Sequence, residues 1–112
     1  MNFKIEVQNN VLVVTALVER LDTHSAPELK SIFTIENRKG MNKVVLNLAN
    51  SKFCDSSGLS AVLVGNRLCK DTNGIFALSS VQPMVLKMIE IAQLLPVLRI
   101  YPNIESAVAD FE

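Results

Sequence analysis

The stretch that decides the fold is K-V-V-L-N-L-A-N-S-K-F-C-D-S-S-G-L at residues 43–59. Residues 43–48 form a short apolar run rich in Val and Leu, which is typical of a strand buried on both faces of a parallel sheet. A polar loop follows, and residues 57–70 then show a helical spacing of apolar residues that ends at Asn73-Gly74. A buried strand that leads through a loop into a helix predicts an α/β fold.

The segments on either side continue the alternation of strands and helices. Residues 3–7 and 11–17 have strand patterns joined by Asn9-Asn10, a pair that tolerates the positive φ of a tight hairpin turn. Further strand patterns lie at residues 75–78 and 98–101, and helical patterns lie between Ser25 and Gly40, at 83–92 and at 104–111. The chain is therefore predicted to be one α/β domain over residues 1–112, in the order β-β-α-β-α-β-α-β-α, with a mixed, mostly parallel sheet and an antiparallel first hairpin. Periodicity does not fix the order of the strands in the sheet.

The first predicted helix begins with a capping pattern. Ser25 is followed three residues later by Glu28, which is the spacing of a capping box. Pro27 suits the first turn of a helix, because its nitrogen has no hydrogen to donate. The pattern predicts that Ser25 and Glu28 cap this helix.

The composition excludes several classes of function. Eleven Lys and Arg balance eleven Asp and Glu, so no basic field exists to attract nucleic acid or anionic lipid. Cys54 and Cys69 are too few for a disulfide framework and lack metal-ligand spacing, which favours a reducing cytoplasm and predicts no metal or cofactor. No apolar run approaches the ~20 residues that span a bilayer, and the N-terminus lacks the apolar core of a signal peptide. The sequence predicts a cytoplasmic protein with neither a membrane nor a nucleic-acid partner.

The helix at residues 57–70 has an apolar arc and a mixed flank. At about 100° per residue, the arc expected to face the sheet consists of Ala61, Val62, Val64, Gly65, Leu68 and Cys69. Leu59 and Leu63 fall outside that arc, on a polar flank that they share with Asn66, Arg67 and Lys70. Two interpretations stay open for these leucines: a small docking patch for a partner, or packing against a neighbouring helix.

The loop before this helix lies where binding sites form in α/β proteins. It follows a buried parallel strand, so it is expected at the carboxyl end of the sheet. Asp55, Ser56 and Ser57 are all good N-cap residues, because a short side-chain oxygen can accept from the free N–H groups of a first helical turn. One cap is enough, so residue chemistry alone is also consistent with an ordinary helix start.

The segment V-V-L-N-L-A-N-S-K-F-C-D-S-S-G-L at residues 44–59 resembles the signature of the STAS domain of anti-sigma factor antagonists. That signature is a short strand followed by D-S-[ST]-G-L at a helix N-terminus. Leu21-Asp22 and the A-P-E-L stretch at residues 26–29 look like the family's L-D and A-P-x-L before its first helix. The resemblance therefore covers nearly the whole chain and implies the STAS fold.

The chain departs from the family pattern at two loop positions. Glu19 stands three residues before the L-D aspartate, where the family often has a glycine. Gln93 or a neighbour stands in the loop after the third helix, where the family has another glycine. These departures concern the local geometry of the two loops.

The resemblance also implies a phosphorylation site. By this similarity Ser57, the serine directly before the glycine, is the phosphoacceptor, and its neighbours are Asp22, Asp55, Ser56 and Gly58. The implied function is that of an anti-sigma factor antagonist, a non-catalytic regulator that switches partners. A GHKL-type serine kinase that also holds a sigma factor would bind the unmodified domain and phosphorylate it, which releases it, and a PP2C-type phosphatase would reverse the modification.

The expected partner-binding surface is the flank of the helix that follows Ser57. It consists of Leu59, Leu63, Asn66 and Arg67. An added phosphate carries a charge of about −1.5 to −2 and would oppose docking on this surface, because it must be desolvated near the carboxylate of Asp55.

Two alternative functions use the same segment. Isolated STAS-like domains also serve as regulatory subunits beside the ATPase of ABC phospholipid transporters. A serine hydrolase with Ser57 as nucleophile and His24 as base is a further alternative, since His24 is the only histidine and is expected near the same end of the sheet. The absence of a G-x-S-x-G motif disfavours the hydrolase.

Overall fold

Strands and helices alternate through residues 2–111, which are the residues that the computed structural model describes. In chain order the elements are β1 (Phe3–Gln8), β2 (Val11–Ala16), β3 (Arg20–Leu21), α1 (Ala26–Arg38), β4 (Lys43–Asn47), β5 (Phe53–Cys54), α2 (Ser56–Asp71), β6 (Ile75–Ser79), α3 (Pro83–Ile91), β7 (Arg99–Tyr101) and α4 (Ile104–Asp110). The predicted mixed α/β fold is confirmed. Within the described residues, no helix is long and apolar enough to cross a membrane.

The main sheet has the strand order β1-β2-β4-β6-β7. β1 and β2 pair antiparallel, and the remaining neighbours pair parallel. The hairpin turn between β1 and β2 uses Asn9 and Asn10 at φ values of 50° and 66°, as the sequence predicts. The strand order itself comes from the structure.

Helices cover both faces of this sheet. On one face Leu12, Val14, Leu46 and Leu78 join a core with apolar side chains of α1, α2 and α3. The neighbouring residues of the same strands, such as Val13, point to the opposite face and pack against α4. The central strands are therefore buried on both sides, which explains their uninterrupted apolar sequence.

A second sheet of two short parallel strands, β3 and β5, is absent from the predicted element order. Arg20 pairs with Phe53 and Leu21 with Cys54. The Arg20 guanidinium carbon lies 4.5 Å from the centroid of the Phe53 ring, so a cation–π contact covers the outside of the pair. Strands of two residues contain no periodic pattern, so only the tertiary structure reveals them.

The predicted capping box at the start of α1 is wrong. Ser25 has a helical backbone conformation and makes no side-chain cap. Its hydroxyl instead accepts from the Asp22 N–H at 3.2 Å and donates to the Arg20 carbonyl at 3.2 Å, which ties the preceding loop together. Pro27 does lie in the first turn, and α1 ends at Arg38, before Gly40, as predicted.

The loop after α3 has a left-handed residue at one of the two positions where the chain departs from the family pattern. Gln93 adopts a φ of 60°. Glycine takes this conformation without the steric cost that a Cβ atom brings. The backbone at Gln93 therefore favours glycine even though the sequence lacks it.

Candidate functional site

The small sheet of β3 and β5 brings two loops together at the carboxyl end of the molecule's main sheet. The pairing of Leu21 with Cys54 continues one residue further, where the Asp55 N–H donates to the Leu21 carbonyl at 3.2 Å. Asp22 and Asp55 each follow one of the paired residues, so the structure brings the L-D and D-S-S-G segments side by side.

Asp55 is the N-cap of α2. Its backbone is extended, with φ −101° and ψ −172°, and its carboxylate accepts from the Gly58 N–H at 3.0 Å. Its carbonyl accepts from the Leu59 N–H at 3.0 Å, which is the first bond of the helical ladder. Of the three residues able to cap this helix, the aspartate takes that role and leaves both serines inside the first turn.

Gly58 lets the first turn of α2 lie directly against β3. A Cβ atom at this position would overlap the Leu21 carbonyl oxygen and would lie 2.7 Å from the Cys54 Sγ atom. Both neighbours are fixed by the pairing of β3 with β5. The glycine of the D-S-S-G segment is therefore required by packing.

The two serine hydroxyls stand at the open end of α2. Ser56, the first helical residue, is exposed, and Ser57, the second, is half-buried. Neither hydroxyl hydrogen-bonds to another residue in the 2–111 range. The N–H groups of these residues precede the first intrahelical bond and, with the helix dipole, form an environment that favours negative charge.

Asp22 shapes the neighbouring loop. Its carboxylate accepts from the His24 N–H at 3.0 Å, and its carbonyl accepts from the Ser25 N–H and the Ala26 N–H at 3.1 and 2.8 Å. His24 is exposed, and no hydrogen bond joins it to Ser57 in the part of the chain that the structure describes. The nucleophile–base contact that defines an activated serine is not formed between this pair.

Cys54 lies beneath this loop as a buried thiol. Burial, reinforced by the nearby charge of Asp55, raises the pKa of Cys54 to about 12. The thiol packs against Gly58 and points its hydrogen toward the Asp55 carbonyl at 3.4 Å. Because the thiolate is the reactive form of cysteine, Cys54 has the character of a packing residue.

The flank of α2 is less exposed than the helical wheel predicts. Leu59 is only 6% exposed and belongs to the main core, so the expectation that it lies on the surface flank with Asn66 and Arg67 is wrong. Leu63 is half-buried against the same core, Asn66 is half-buried, and Arg67 is exposed. The wheel assumes that α2 packs on one surface, whereas the sheet, α1 and β5 all contact it.

The outer stripe of α2 follows directly from the helical repeat. Its members are the half-buried Leu63 and the exposed Ser56, Ser60 and Arg67, which recur at spacings of three and four residues. This α2 stripe begins beside Ser57 and runs down the outside of the helix. A protein that docks on it would contact the serine hydroxyls at one end and the Arg67 guanidinium at the other.

A row of buried polar residues at the same end of the sheet was not identified from the sequence. Thr15, Asn47 and Ser79 are neighbours in register on β2, β4 and β6. The Asn47 side chain donates to the Thr15 hydroxyl and accepts from Ser79, each at 3.5 Å, and it accepts from the Ala49 N–H at 3.2 Å. Asn47 thereby fixes the start of the loop that leads to Asp55, and its sequence signal is a single polar residue inside V-V-L-N-L.

Comparison with known proteins agrees with this geometry. The family model described as the STAS domain matches residues 2–107. An anti-sigma F factor antagonist of Paenibacillus polymyxa is 30% identical over 115 residues, which cover 100% of this chain and 97% of that protein.

Solved structures of the same kind have the same fold. An anti-sigma-factor antagonist (STAS) domain protein from Planctomyces limnophilus superposes with a TM-score of 0.87 at 20% identity, over 98% of this chain and 97% of that chain. The Bacillus cell fate determinant SpoIIAA in its phosphorylated form gives a TM-score of 0.76 at 23% identity, over 98% and 99% of the two chains. The sequence and the fold together lead to one conclusion: this protein belongs to the STAS domain family of anti-sigma factor antagonists.

Proposed function

We propose that this protein acts as an anti-sigma factor antagonist whose binding is switched by reversible phosphorylation of Ser57. The observation that carries the proposal is the position of Ser57 at the second residue of α2, next to the Asp55 cap and with its hydroxyl free of hydrogen bonds to the described residues. The 30% identical relative from Paenibacillus polymyxa supports it, since that protein is an anti-sigma F factor antagonist.

In this proposal Ser57 is a substrate for another protein and not a nucleophile of its own. A GHKL-type serine kinase supplies the catalytic base and ATP, and the Ser57 oxygen attacks the γ-phosphorus and loses its proton as ADP leaves. A PP2C-type phosphatase returns the hydroxyl by hydrolysis. Asp55 and Gly58 act as positioning residues, because they fix the first turn that presents Ser57.

A phosphate on Ser57 acts on binding more than on folding. The N–H groups and the dipole of α2 favour the added charge by about 0.3 to 1 kcal/mol, so the domain stays folded. In an interface, however, the same group must lose water beside the Asp55 carboxylate, which opposes docking by about 2 to 5 kcal/mol unless a cation of the partner pairs with it. The unmodified and modified forms therefore differ mainly in their affinity for the kinase.

The partner surface in this proposal is the α2 stripe together with Asn66. Leu63 supplies the apolar centre, and Asn66 and Arg67 supply polar contacts. Leu59 is buried, so in this proposal it supports the first turn from beneath and does not touch the partner. An exposed rim of serines around a half-buried leucine suits a transient interface, which depends on a few well-packed side chains.

The first experiment tests which partner is bound. Wild-type protein and the Ser57→Asp variant serve as affinity baits in native lysate, and bound proteins are identified by mass spectrometry. We expect the wild type to retain a small GHKL-type kinase and Ser57→Asp to retain at least tenfold less. Ser31→Asp, at an exposed position of α1, is the matched charge control and should bind like the wild type. Equal binding by all three baits, or recovery of a transporter ATPase in place of the kinase, contradicts the proposal.

The second experiment tests the site of modification. The recovered kinase and ATP are incubated with the protein, and peptide mass spectrometry locates the phosphate. Ser57→Ala should abolish the modification, whereas Ser56→Ala, one residue away in the same turn, should leave it intact. Phosphate on any other residue contradicts the assignment to Ser57.

A further inference from the structure

The outer edge of β1 has backbone groups that point away from the sheet. β1 is the first strand in the order β1-β2-β4-β6-β7 and pairs only with β2 among the described strands. The Leu17 N–H donates to the Asn2 carbonyl at 2.8 Å, so Asn2 is directed toward β2. Because inward and outward backbone groups alternate along an antiparallel strand, Phe3, Ile5 and Val7 direct their N–H and C=O groups outward.

Exposed apolar side chains accompany this edge. Ile5 is 44% exposed and Val7 is 61% exposed, on the sheet face that α1 covers. The Asn2 side chain donates to the Glu28 carboxylate at 2.9 Å, which fixes the start of α1 beside the start of β1. Ile5 and Val7 therefore form an exposed apolar pair along the edge.

The charged side chains of β1 are complementary to those of a second, antiparallel copy of β1. Lys4 and Glu6 lie together on the opposite face, with the Lys4 Nζ atom 3.8 Å from the Glu6 Oε1 atom. If two copies of β1 pair antiparallel with Ile5 opposite Ile5, Lys4 of each copy faces Glu6 of the other. A shift by two residues in one direction sets Lys4 against Lys4, and a shift in the other direction sets Glu6 against Glu6. Like charges directly opposite each other destabilise a strand pair, so one register is selected.

We propose that the β1 edge is a self-association surface, and that two copies of this chain pair through antiparallel β1 strands centred on Ile5. In this register the outward N–H and C=O groups of Phe3, Ile5 and Val7 meet those of Val7, Ile5 and Phe3 of the second copy. The isologous contact joins two five-stranded sheets into one and covers an edge that is otherwise open to unspecific pairing.

The geometry of this dimer leaves the Ser57 loops accessible. The two-fold axis runs perpendicular to the sheet, midway between the two Ile5 residues, so each β1 strand is antiparallel to the β1 strand of the other copy. The carboxyl ends of the two sets of parallel strands, and with them both Ser57 loops, lie at opposite ends of the dimer. Self-association is therefore independent of the proposed phosphorylation switch, and each proposal can fail without the other.

Charge exchange between the two copies tests the proposal. Sedimentation equilibrium over a range of concentrations should show the wild type moving from the monomer mass to twice that mass. Lys4→Glu sets two carboxylates opposite each other at both symmetric positions, and Glu6→Lys does the same with two ammonium groups, so each variant alone should dimerise about tenfold more weakly. An equimolar mixture of the two variants restores opposite charges and should associate as tightly as the wild type. The double variant K4E/E6K should also dimerise like the wild type.

Val7→Pro tests the backbone contact separately. Proline removes an N–H that points outward, away from β2, so circular dichroism and thermal unfolding should show a folded protein while the dimer is lost. The proposal is overturned if the wild type stays at the monomer mass at every soluble concentration. It is equally overturned if the mixture of charge variants associates no better than either variant alone, or if Val7→Pro leaves the dimer intact.

Discussion

Two helices of this protein start from nearly equivalent points with different outcomes. β3 and β5 are parallel and in register, and each is followed by an aspartate, Asp22 after Leu21 and Asp55 after Cys54. Each carboxylate accepts a hydrogen bond from the backbone N–H of a residue slightly later in the chain. Asp22 binds the N–H two residues later and forms a turn, whereas Asp55 binds the N–H three residues later and caps a helix.

That difference of one residue determines whether the residues after the aspartate lie in a loop or in the first turn of a helix. α1 begins only at Ala26, so Thr23 and His24 lie in a loop. α2 begins directly after Asp55, so Ser56 and Ser57 lie in the first helical turn with its free N–H groups. The second segment places its serines inside this first turn, where the environment favours negative charge, whereas the Ser25 hydroxyl at the start of α1 is buried and hydrogen-bonded. The two starts, which are paired in register up to the aspartate, are therefore suited to different tasks.

The residue three positions after each aspartate separates the two starts. After Asp55 it is Gly58, which has no side chain and allows contact with the Leu21 carbonyl. After Asp22 it is Ser25, whose buried hydroxyl bridges the Asp22 N–H and the Arg20 carbonyl. Gly58 therefore leaves no room for a Cβ atom, whereas the start of α1 depends on the hydroxyl of Ser25.

The largest effect is expected for Gly58→Ala. The added methyl group overlaps the Leu21 carbonyl oxygen and crowds the Cys54 Sγ atom, so the free energy of unfolding should fall by about 3 kcal/mol. Urea unfolding followed by circular dichroism measures the change. Ser60→Ala, on the exposed side of the same helix, is the control and should stay within about 0.5 kcal/mol of the wild type. A loss below about 1 kcal/mol for Gly58→Ala would mean that the first turn of α2 can move away from β3.

A smaller effect is expected for Ser25→Ala. The substitution leaves the partly buried Asp22 N–H and Arg20 carbonyl without the hydroxyl that joins them, which should lower the free energy of unfolding by about 2 kcal/mol. Ser25→Thr keeps the hydroxyl and serves as the matched variant in the same unfolding experiment. If Ser25→Ala is neutral, the loop before α1 is held by the Asp22 turn alone.

These two positions also show how far the sequence could lead. The apolar runs of β2, β4 and β6 and the helical repeats of α1 and α2 predict their elements, because burial on a sheet or along one helix face imposes a period. Ser25 and Leu59 depart from the sequence prediction because tertiary contacts decide them: the Ser25 hydroxyl donates to a carbonyl of β3, and α2 packs against several elements at once. β3 and β5 carry no period and form only by pairing across more than thirty residues of chain. The D-S-S-G segment was recognisable as a motif, but the reason for its glycine needed the position of the Leu21 carbonyl.

Asp55→Ala should lower the free energy of unfolding by about 1 kcal/mol. The substitution removes the cap of α2 and leaves the Gly58 N–H without its side-chain acceptor. Asp55→Asn retains an oxygen in the same place and should recover most of the loss. Thermal and urea unfolding of the two variants separates the hydrogen bond from the charge. Equal losses for both variants would mean that the negative charge at the helix N-terminus, and not the bond to Gly58, stabilises this start.

The smallest effect is expected for Glu28→Ala, at the third position of α1. A capping box would require the Glu28 carboxylate to accept from the Ser25 backbone, but it accepts from the Asn2 side chain at 2.9 Å instead. What remains is an exposed hydrogen bond and a favourable charge in the first turn, so urea unfolding should show a loss of about 0.5 kcal/mol. Glu28→Gln keeps the bond to Asn2 and isolates the contribution of the charge. If Glu28→Ala were as costly as Asp55→Ala, the two helix starts would be capped to the same degree. Capping would then not distinguish α2 from α1. The difference between the two starts would lie in the serines of the first turn of α2 and in the contrast between Gly58 and Ser25.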